Sequence, residues 1–285
     1  MRMGEITMQD TIGHLSDFAA YLRTEERSEG TIEKYMRDVR KFFCWLGNEI
    51  LGKTQVSAWR AQLLADGYAP ETVNSMIVAL NRFLDFIGRS DCRVHTLRIQ
   101  RKLFRRPDRE LTRPEYERLV QTAERKGQQR LSLLLEAITA TGIRVSEVKY
   151  LTVEAARARR AEIALKGKIR VILLPNKLCR KLLKYAKKQK TVSGEIFLTR
   201  NGKSLSRRQI WSEMKNLCKF AGVEASKVFP HNLRHLFATI FYRACKDIAK
   251  LADVLGHSSI ETTRIYLVTS GTEHARQLAH LRLIS

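Results

Sequence analysis

Three short stretches of this chain gather cations, and one phenol follows them, in a pattern suited to a phosphodiester. Thr141-Gly142-Ile143-Arg144-Val145-Ser146-Glu147 sets an arginine in a turn just after a glycine that suits a helix C-cap. In Pro230-His231-Asn232-Leu233-Arg234-His235, the i, i+3, i+4 spacing places His231, Arg234 and His235 on one helical face. Pro230 fits the first turn of that helix, and Leu233, Phe237, Ile240 and Phe241 would supply its buried side. Leu255-Gly256-His257-Ser258-Ser259 holds a histidine between two helix ends. Asp247 can cap the helix before it, Gly256 can close that helix, and Ser258 with Glu261 forms a capping-box pattern for the next. Tyr266 stands nine residues after His257. A guanidinium grips two phosphate oxygens with its planar fork. A phenol can attack phosphorus where a base and strong phosphate neutralisation lie close by. Taken singly, each residue has a commoner structural use: a surface arginine, a hydrogen-bonding histidine, a packed tyrosine.

Other chemistries find little support. No glutamate between His231 and His235 completes a zinc-protease motif, and neither a GxSxG elbow nor a GxxxxGK[ST] phosphate loop occurs. Cys44, Cys92, Cys179, Cys218 and Cys245 are scattered without a CxxC pair, so neither a zinc site nor a disulfide framework is expected. Lys and Arg total 52 against 29 acidic residues, a net charge of +23. That charge favours a polyanion, nucleic acid ahead of an anionic membrane surface. No apolar run approaches the roughly 20 residues of a membrane span, and Met1–Asp10 has no signal-peptide core. A cytoplasmic protein is expected.

The elements that must position these residues read as mostly helical. Apolar residues recur at three- and four-residue spacing over 9–25, 31–46, 55–65 and 71–87, for example Ile32, Tyr35, Val39, Phe42, Phe43 and Leu46. Gly52, Gly67, Pro70 and Gly88 punctuate them. This predicts a helical N-terminal domain over 8–88. Residues 89–109 lack periodicity and are rich in arginine, Arg101, Lys102, Arg105 and Arg106 among them; they read as a basic interdomain linker. A second domain is expected over 110–285. Thr112 with Glu115 has the pattern of a capping box, and a helix over 129–140 should end before Gly142. Ile163 and Leu165 before Lys166-Gly167-Lys168, with Ile169 to Leu174 after, give the single β signal, a hairpin. Segments 177–189, 206–221, 230–244, 247–255, 259–266 and 272–282 read as helices. The fold class expected is mainly α with a small β-hairpin, in two domains.

In this order the clusters resemble the tyrosine recombinase family, which includes phage integrases and Xer recombinases. ATGIRVSEV at 140–148 looks like the family's first arginine box, HNLRHLFAT at 231–239 like its histidine-x-x-arginine box, and LGHSSIETTRIY at 255–266 like its closing box. TIEKYMRDVRKFFCWL at 31–46 is similar to its N-terminal core-binding domain, so the resemblance covers nearly the whole chain. It implies a helical, SAM-like core-binding domain followed by a mixed, mostly helical catalytic domain. It implies Arg144 and Arg234 as phosphate-binding arginines, His231 and His257 as active-site histidines, Tyr266 as nucleophile and Glu147 as an acidic buttress. Lys166 would be the general acid, with Lys168 a competitor for that role. Arg101, Lys102, Arg105, Arg106 and Lys168 would contact DNA. No metal, ATP or other cofactor is implied, because a 3′-phosphotyrosine bond conserves the energy for rejoining. The chain begins almost directly with the core-binding domain, which favours an Xer-like layout over one with a further arm-binding domain.

The partner so implied is double-stranded DNA with a specific recombination site, held by a homotetramer on two duplexes. Protomers can be monomeric when free, an accessory or directionality factor is compatible, and no membrane is involved. The apolar stripe Ala275, Leu278, Leu281 and Ile284 would be a tail that docks on a neighbouring subunit or packs in cis. Both a chromosomal resolvase and the integrase of a mobile element fit this layout. One competing reading is a type IB topoisomerase-like relaxing enzyme, which would not need that tail. Another is a non-catalytic DNA-binding regulator, which would not need an intact Tyr266 and arginine pair.

Overall fold

The computed structural model describes residues 8–99, 109–165, 168–257 and 259–266. The chain divides into two compact units, Met1–Arg101 and Lys102–Ser285.

The first unit is built from α1 (Met8–Thr24), α2 (Glu29–Leu46), α3 (Lys53–Ala65) and α4 (Pro70–Phe86). Apolar positions at three- and four-residue spacing are buried on these helices, although Tyr35 of the expected α2 stripe is only partly so and Met36 is buried beside it. On α2 the stripe is Ile32, Met36, Val39, Phe42, Phe43 and Leu46; on α4 it includes Val73, Ile77, Leu80 and Leu84. Aromatic rings fill the centre edge to face, Phe18 against Phe83 and Phe42 against Trp59 at 5.2 Å each. The start of the basic stretch is part of this unit. A 3₁₀ turn at Ser90–Cys92 buries Cys92, and Val94 follows it into the core. Two asparagines of α4 then pair with the passing backbone. Asn81 donates to the Val94 carbonyl and accepts from its N–H; Asn74 does the same for Leu97. Residues 100–108, with Arg101, Lys102, Arg105 and Arg106, lie outside the described residues.

The second unit contains α5 (Arg113–Arg125), α6 (Gln129–Thr141), a 3₁₀ turn at Val145–Tyr150, α7 (Val153–Ala158), β1 (Arg160–Leu165), β2 (Lys168–Leu173), α8 (Asn176–Lys188), α9 (Arg207–Ala221), α10 (Pro230–Cys245), α11 (Ile248–Leu255) and α12 (Ile260–Arg264). Thr112 and Glu115 close the expected capping box at the start of α5. Helix α6 is buried nearly all round, through Leu131, Leu133, Leu134, Leu135 and Ile138, and forms the centre of the core. The strands pair antiparallel, with Ile163 opposite Arg170 and Ala161 opposite Ile172. Ala161, Ile163 and Ile172 face the core, while Val171 and Leu173 are exposed. Arg170 therefore lies on the buried face of the hairpin.

Several details differ from the sequence reading. Ile240 is exposed, whereas Leu233 and Ala238 of the same helix are fully buried. The N-cap of α12 is Ser259, whose hydroxyl accepts from the Glu261 N–H; Ser258 lies outside the described residues. Helix α7, capped by Thr152, is too short to leave a periodic signal. The tail at 272–285 lies outside the described residues. Among the described residues, no helix is long and apolar enough to cross a membrane.

Candidate active site

Two glycines let the site close. Gly142 ends α6 at φ +63°, and a Cβ there would strike the Phe237 ring of α10. Gly256 ends α11 at φ +61°, and a Cβ there would strike the side chain of Arg170. Both are the left-handed caps that glycine adopts without strain. They bring the ends of α6 and α11 against α10 and the hairpin.

Arg144 follows the first of these turns. Its backbone N–H donates to Glu147 Oε2 at 2.9 Å, and its Nη1 to Glu147 Oε1 at 2.8 Å. Nη2 donates to the Gly256 carbonyl at 3.2 Å. Glu147 is buried, whereas the Arg144 side chain is 40% exposed. The carboxylate thus fixes a guanidinium that still faces solvent.

Arg234 comes from the first turns of α10 and is buried. It donates to the Gly142 carbonyl, to the Leu255 carbonyl at 2.7 Å and to His257 Nε2 at 3.0 Å. Burial and the nearby Arg144 charge lower its pKa, and the phenol of Tyr266, within hydrogen-bonding reach, works the other way. A guanidinium has more N–H donors than these contacts use.

The tautomer of His257 follows from its partners. A guanidinium can only donate, so His257 Nε2 accepts. The proton therefore sits on Nδ1, which donates to Thr263 Oγ1 at 2.8 Å. Burial, then Arg234, Arg144, Arg170 and His231 in that order, push the His257 pKa down to about 4, so the ring is neutral near pH 7.

The Tyr266 side chain is buried at the centre of these groups. Its ring stacks on His257 at 5.8 Å, with His235 at 5.1 Å and His231 at 6.2 Å. The structure therefore brings together Arg144, Glu147, His231, Arg234, His257 and Tyr266 from stretches far apart in sequence. Lys166, the Lys168 side chain and Arg101, Lys102, Arg105 and Arg106 lie outside the described residues.

Two further residues lie at this centre, beyond the set that the resemblance implies. His235 is buried beside Tyr266, with Thr239 Oγ1 at 3.4 Å from its Nδ1; its i+4 spacing from His231 was the available signal. Arg170 reaches Glu147 Oε2 at 3.4 Å and the Val254 carbonyl at 3.3 Å. Burial lowers its pKa to about 10, the Glu147 charge opposing that shift, and it remains protonated near neutral pH. Cys92, Cys179 and Cys218 are buried thiols, and Cys44 and Cys245 are exposed ones. Among the described residues, no cluster of His, Cys, Asp or Glu is arranged to hold a metal ion.

Comparison with known proteins gives a consistent result over both units. The sequence model of the phage integrase family matches residues 109–272, and that of the phage integrase N-terminal SAM-like domain matches 15–90. Tyrosine recombinase XerA of Pyrococcus furiosus is 31% identical over 276 residues, covering 93% of this chain and 91% of the relative. Tyrosine recombinase XerD of Vibrio cholerae is 25% identical over 270 residues, covering 88% and 89%. Among solved structures, a lambda integrase dimer bound to a core site matches with a TM-score of 0.71 at 16% identity, over 89% of this chain and 94% of that one. XerH recombinase bound to its difH substrate matches with a TM-score of 0.65 at 19% identity, over 93% and 83%.

Proposed function

This chain belongs to the phage integrase family of tyrosine recombinases, and from that premise we propose that it breaks and rejoins DNA at a specific site through a covalent bond to Tyr266. The observation that carries this reading is the burial of the Tyr266 phenol within reach of Arg234, with Arg144 and His257 on the same centre. A phosphodiester under attack gathers negative charge on its non-bridging oxygens. Arg234, held by three protein acceptors, and Arg144, fixed by Glu147, are preorganised to neutralise that charge. The Tyr266 oxygen attacks phosphorus, the bond to the leaving 5′ oxygen breaks, and the 3′ phosphate stays on the tyrosine. Attack by a 5′ hydroxyl in reverse reseals the strand without an external energy source.

His231 and His257 complete the phosphate site. Lys166, with Lys168 as competitor, supplies the proton to the leaving oxygen in this reading. The partner is duplex DNA with a defined site, in line with the +23 net charge and with the DNA-bound state of the XerH and lambda integrase structures. Strand exchange would take four protomers on two duplexes, with the tail at 272–285 as the candidate link and an accessory factor as a further partner. Arg101, Lys102, Arg105 and Arg106 would follow the DNA backbone between the two domains, 8–88 and 110–285.

The test uses a nicked suicide duplex built on the sequence that the Tyr266→Phe protein selects from a randomised pool. Wild-type protein should form a covalent adduct with it that resists denaturant. Tyr266→Phe should bind it equally well and form none. A wild-type protein that only shifts this duplex would be a DNA-binding regulator instead.

A further inference from the structure

We propose that Arg170 is a positioning residue that neutralises Glu147 and so leaves the Arg144 guanidinium available to the scissile phosphate. This rests on the recombinase reading above and assigns a role to a residue outside its catalytic set.

Residues 169, 171 and 173 of β2 are all apolar, yet Val171 and Leu173 point outward and Arg170 points in, beside Ile172. Only 12% of the Arg170 side chain is exposed. Its Nε is buried with no hydrogen-bond partner among the described residues. Its aliphatic stem fills the space that a Cβ at Gly256 would need. A buried cation with an unmet donor is a poor choice for stability alone, since an apolar side chain at such a place is often neutral or better.

What Arg170 contacts explains the choice. Glu147 is a buried carboxylate with two arginine partners, Arg144 from the open side and Arg170 from the buried side. With Arg144 alone, the carboxylate would cancel the charge meant for the phosphate. The added cation leaves Arg144 oriented by Glu147 without being electrically spent on it. Arg170 also donates to the Val254 carbonyl and packs under Gly256, the residue whose carbonyl holds Arg144 Nη2. One side chain thereby supports both anchors of Arg144.

The experiment compares adduct formation on the selected nicked duplex by wild type, Arg170→Gln, Glu147→Gln and the double variant, under single-turnover conditions. Arg170→Gln should slow cleavage about a hundredfold, the scale of one lost charge-stabilising donor, with DNA affinity little changed. In the Glu147→Gln background, the same substitution should matter by no more than about threefold, since there is no carboxylate left to neutralise. A residue that merely packs would cost as much in either background. The comparison of Glu147→Gln with the double variant decides even if Arg170→Gln alone fails to fold. Wild-type cleavage by Arg170→Gln, an inactive Glu147→Gln, or a double variant about a hundredfold slower than Glu147→Gln would each overturn the proposal. A wild-type protein that forms no adduct at all would instead remove the recombinase reading beneath it.

Discussion

Gly142→Ala and Gly222→Ala make the same chemical change at two helix ends that share a backbone conformation, φ +63° and +60°. Their surroundings differ. A Cβ at Gly222 meets nothing within 4 Å, whereas one at Gly142 meets the Phe237 ring, with Cε1 at 2.8 Å, and Leu255 Cδ2 at 3.0 Å. The left-handed conformation costs an L residue about 1–2 kcal/mol, and Gly222→Ala should lose only that. Gly142→Ala adds overpacking of a well-packed core, about 1–3 kcal/mol, for a total of about 2–5 kcal/mol. At about 2–4 °C per kcal/mol for a chain of this size, the expected falls in melting temperature are about 5 °C and about 10 °C. The functional effect should diverge further. Phe237 lies one helical turn beyond Arg234, and Arg234 donates to the carbonyl of Gly142 itself. Pushing Phe237 aside displaces that arginine, and a displacement of about 1 Å can cost a hundredfold in rate. Melting curves and adduct formation, measured well below the melting point, test both parts. If the two variants melt together and cleave equally, the packing of Gly142 against α10 does not hold Arg234.

Arg144→Ala and Arg234→Ala should each slow adduct formation by about a hundred- to thousandfold while lowering DNA affinity far less; equal small losses in both would mean that these arginines only hold DNA. Lys166→Ala should cleave a 5′-bridging phosphorothiolate substrate much faster than ordinary DNA, because a thiolate leaves without a general acid; rescue of Lys168→Ala alone would give the role to Lys168. The depressed pKa of His257 has a defined sign: an unfolded chain takes up this proton below about pH 6.5 and the native ring not until about pH 4. Acidification through that window should therefore cost wild type more stability than His257→Asn, by about 1 kcal/mol once solvent screening is allowed for, as chemical denaturation at pH 7 and pH 5 would read; equal losses would place the ring in a charged state already.

Much of the site was legible because its parts lie at helix ends, where local chemistry speaks. Gly142, Asp247 and Gly256 cap as their types suggest, Pro230 opens α10, and Thr112 closes its box with Glu115. The harder residues depend on tertiary choices. Both faces of β2 carry apolar residues, so alternation could not tell that the Arg170 face is the buried one. Ile240 is as apolar as Leu233 yet lies on the open side of α10. The anchoring of Val94 and Leu97 by Asn81 and Asn74 links side chain to backbone across 13 and 23 residues, which leaves no periodic trace. His235 shares a helical face with His231 and Arg234, but its burial against Tyr266 depends on where α12 ends.

The central claim, that Tyr266 is the atom donor to the DNA bond, is tested most directly by mapping the adduct. Wild-type protein trapped on the nicked duplex would be digested with trypsin and the DNA-linked peptide sequenced by mass spectrometry. The account predicts the peptide from Ile265 to Arg276, in which Tyr266 is the sole tyrosine, joined to a 3′ phosphate. A linkage to a peptide containing Tyr242 or Tyr150, or to a 5′ phosphate, would contradict it.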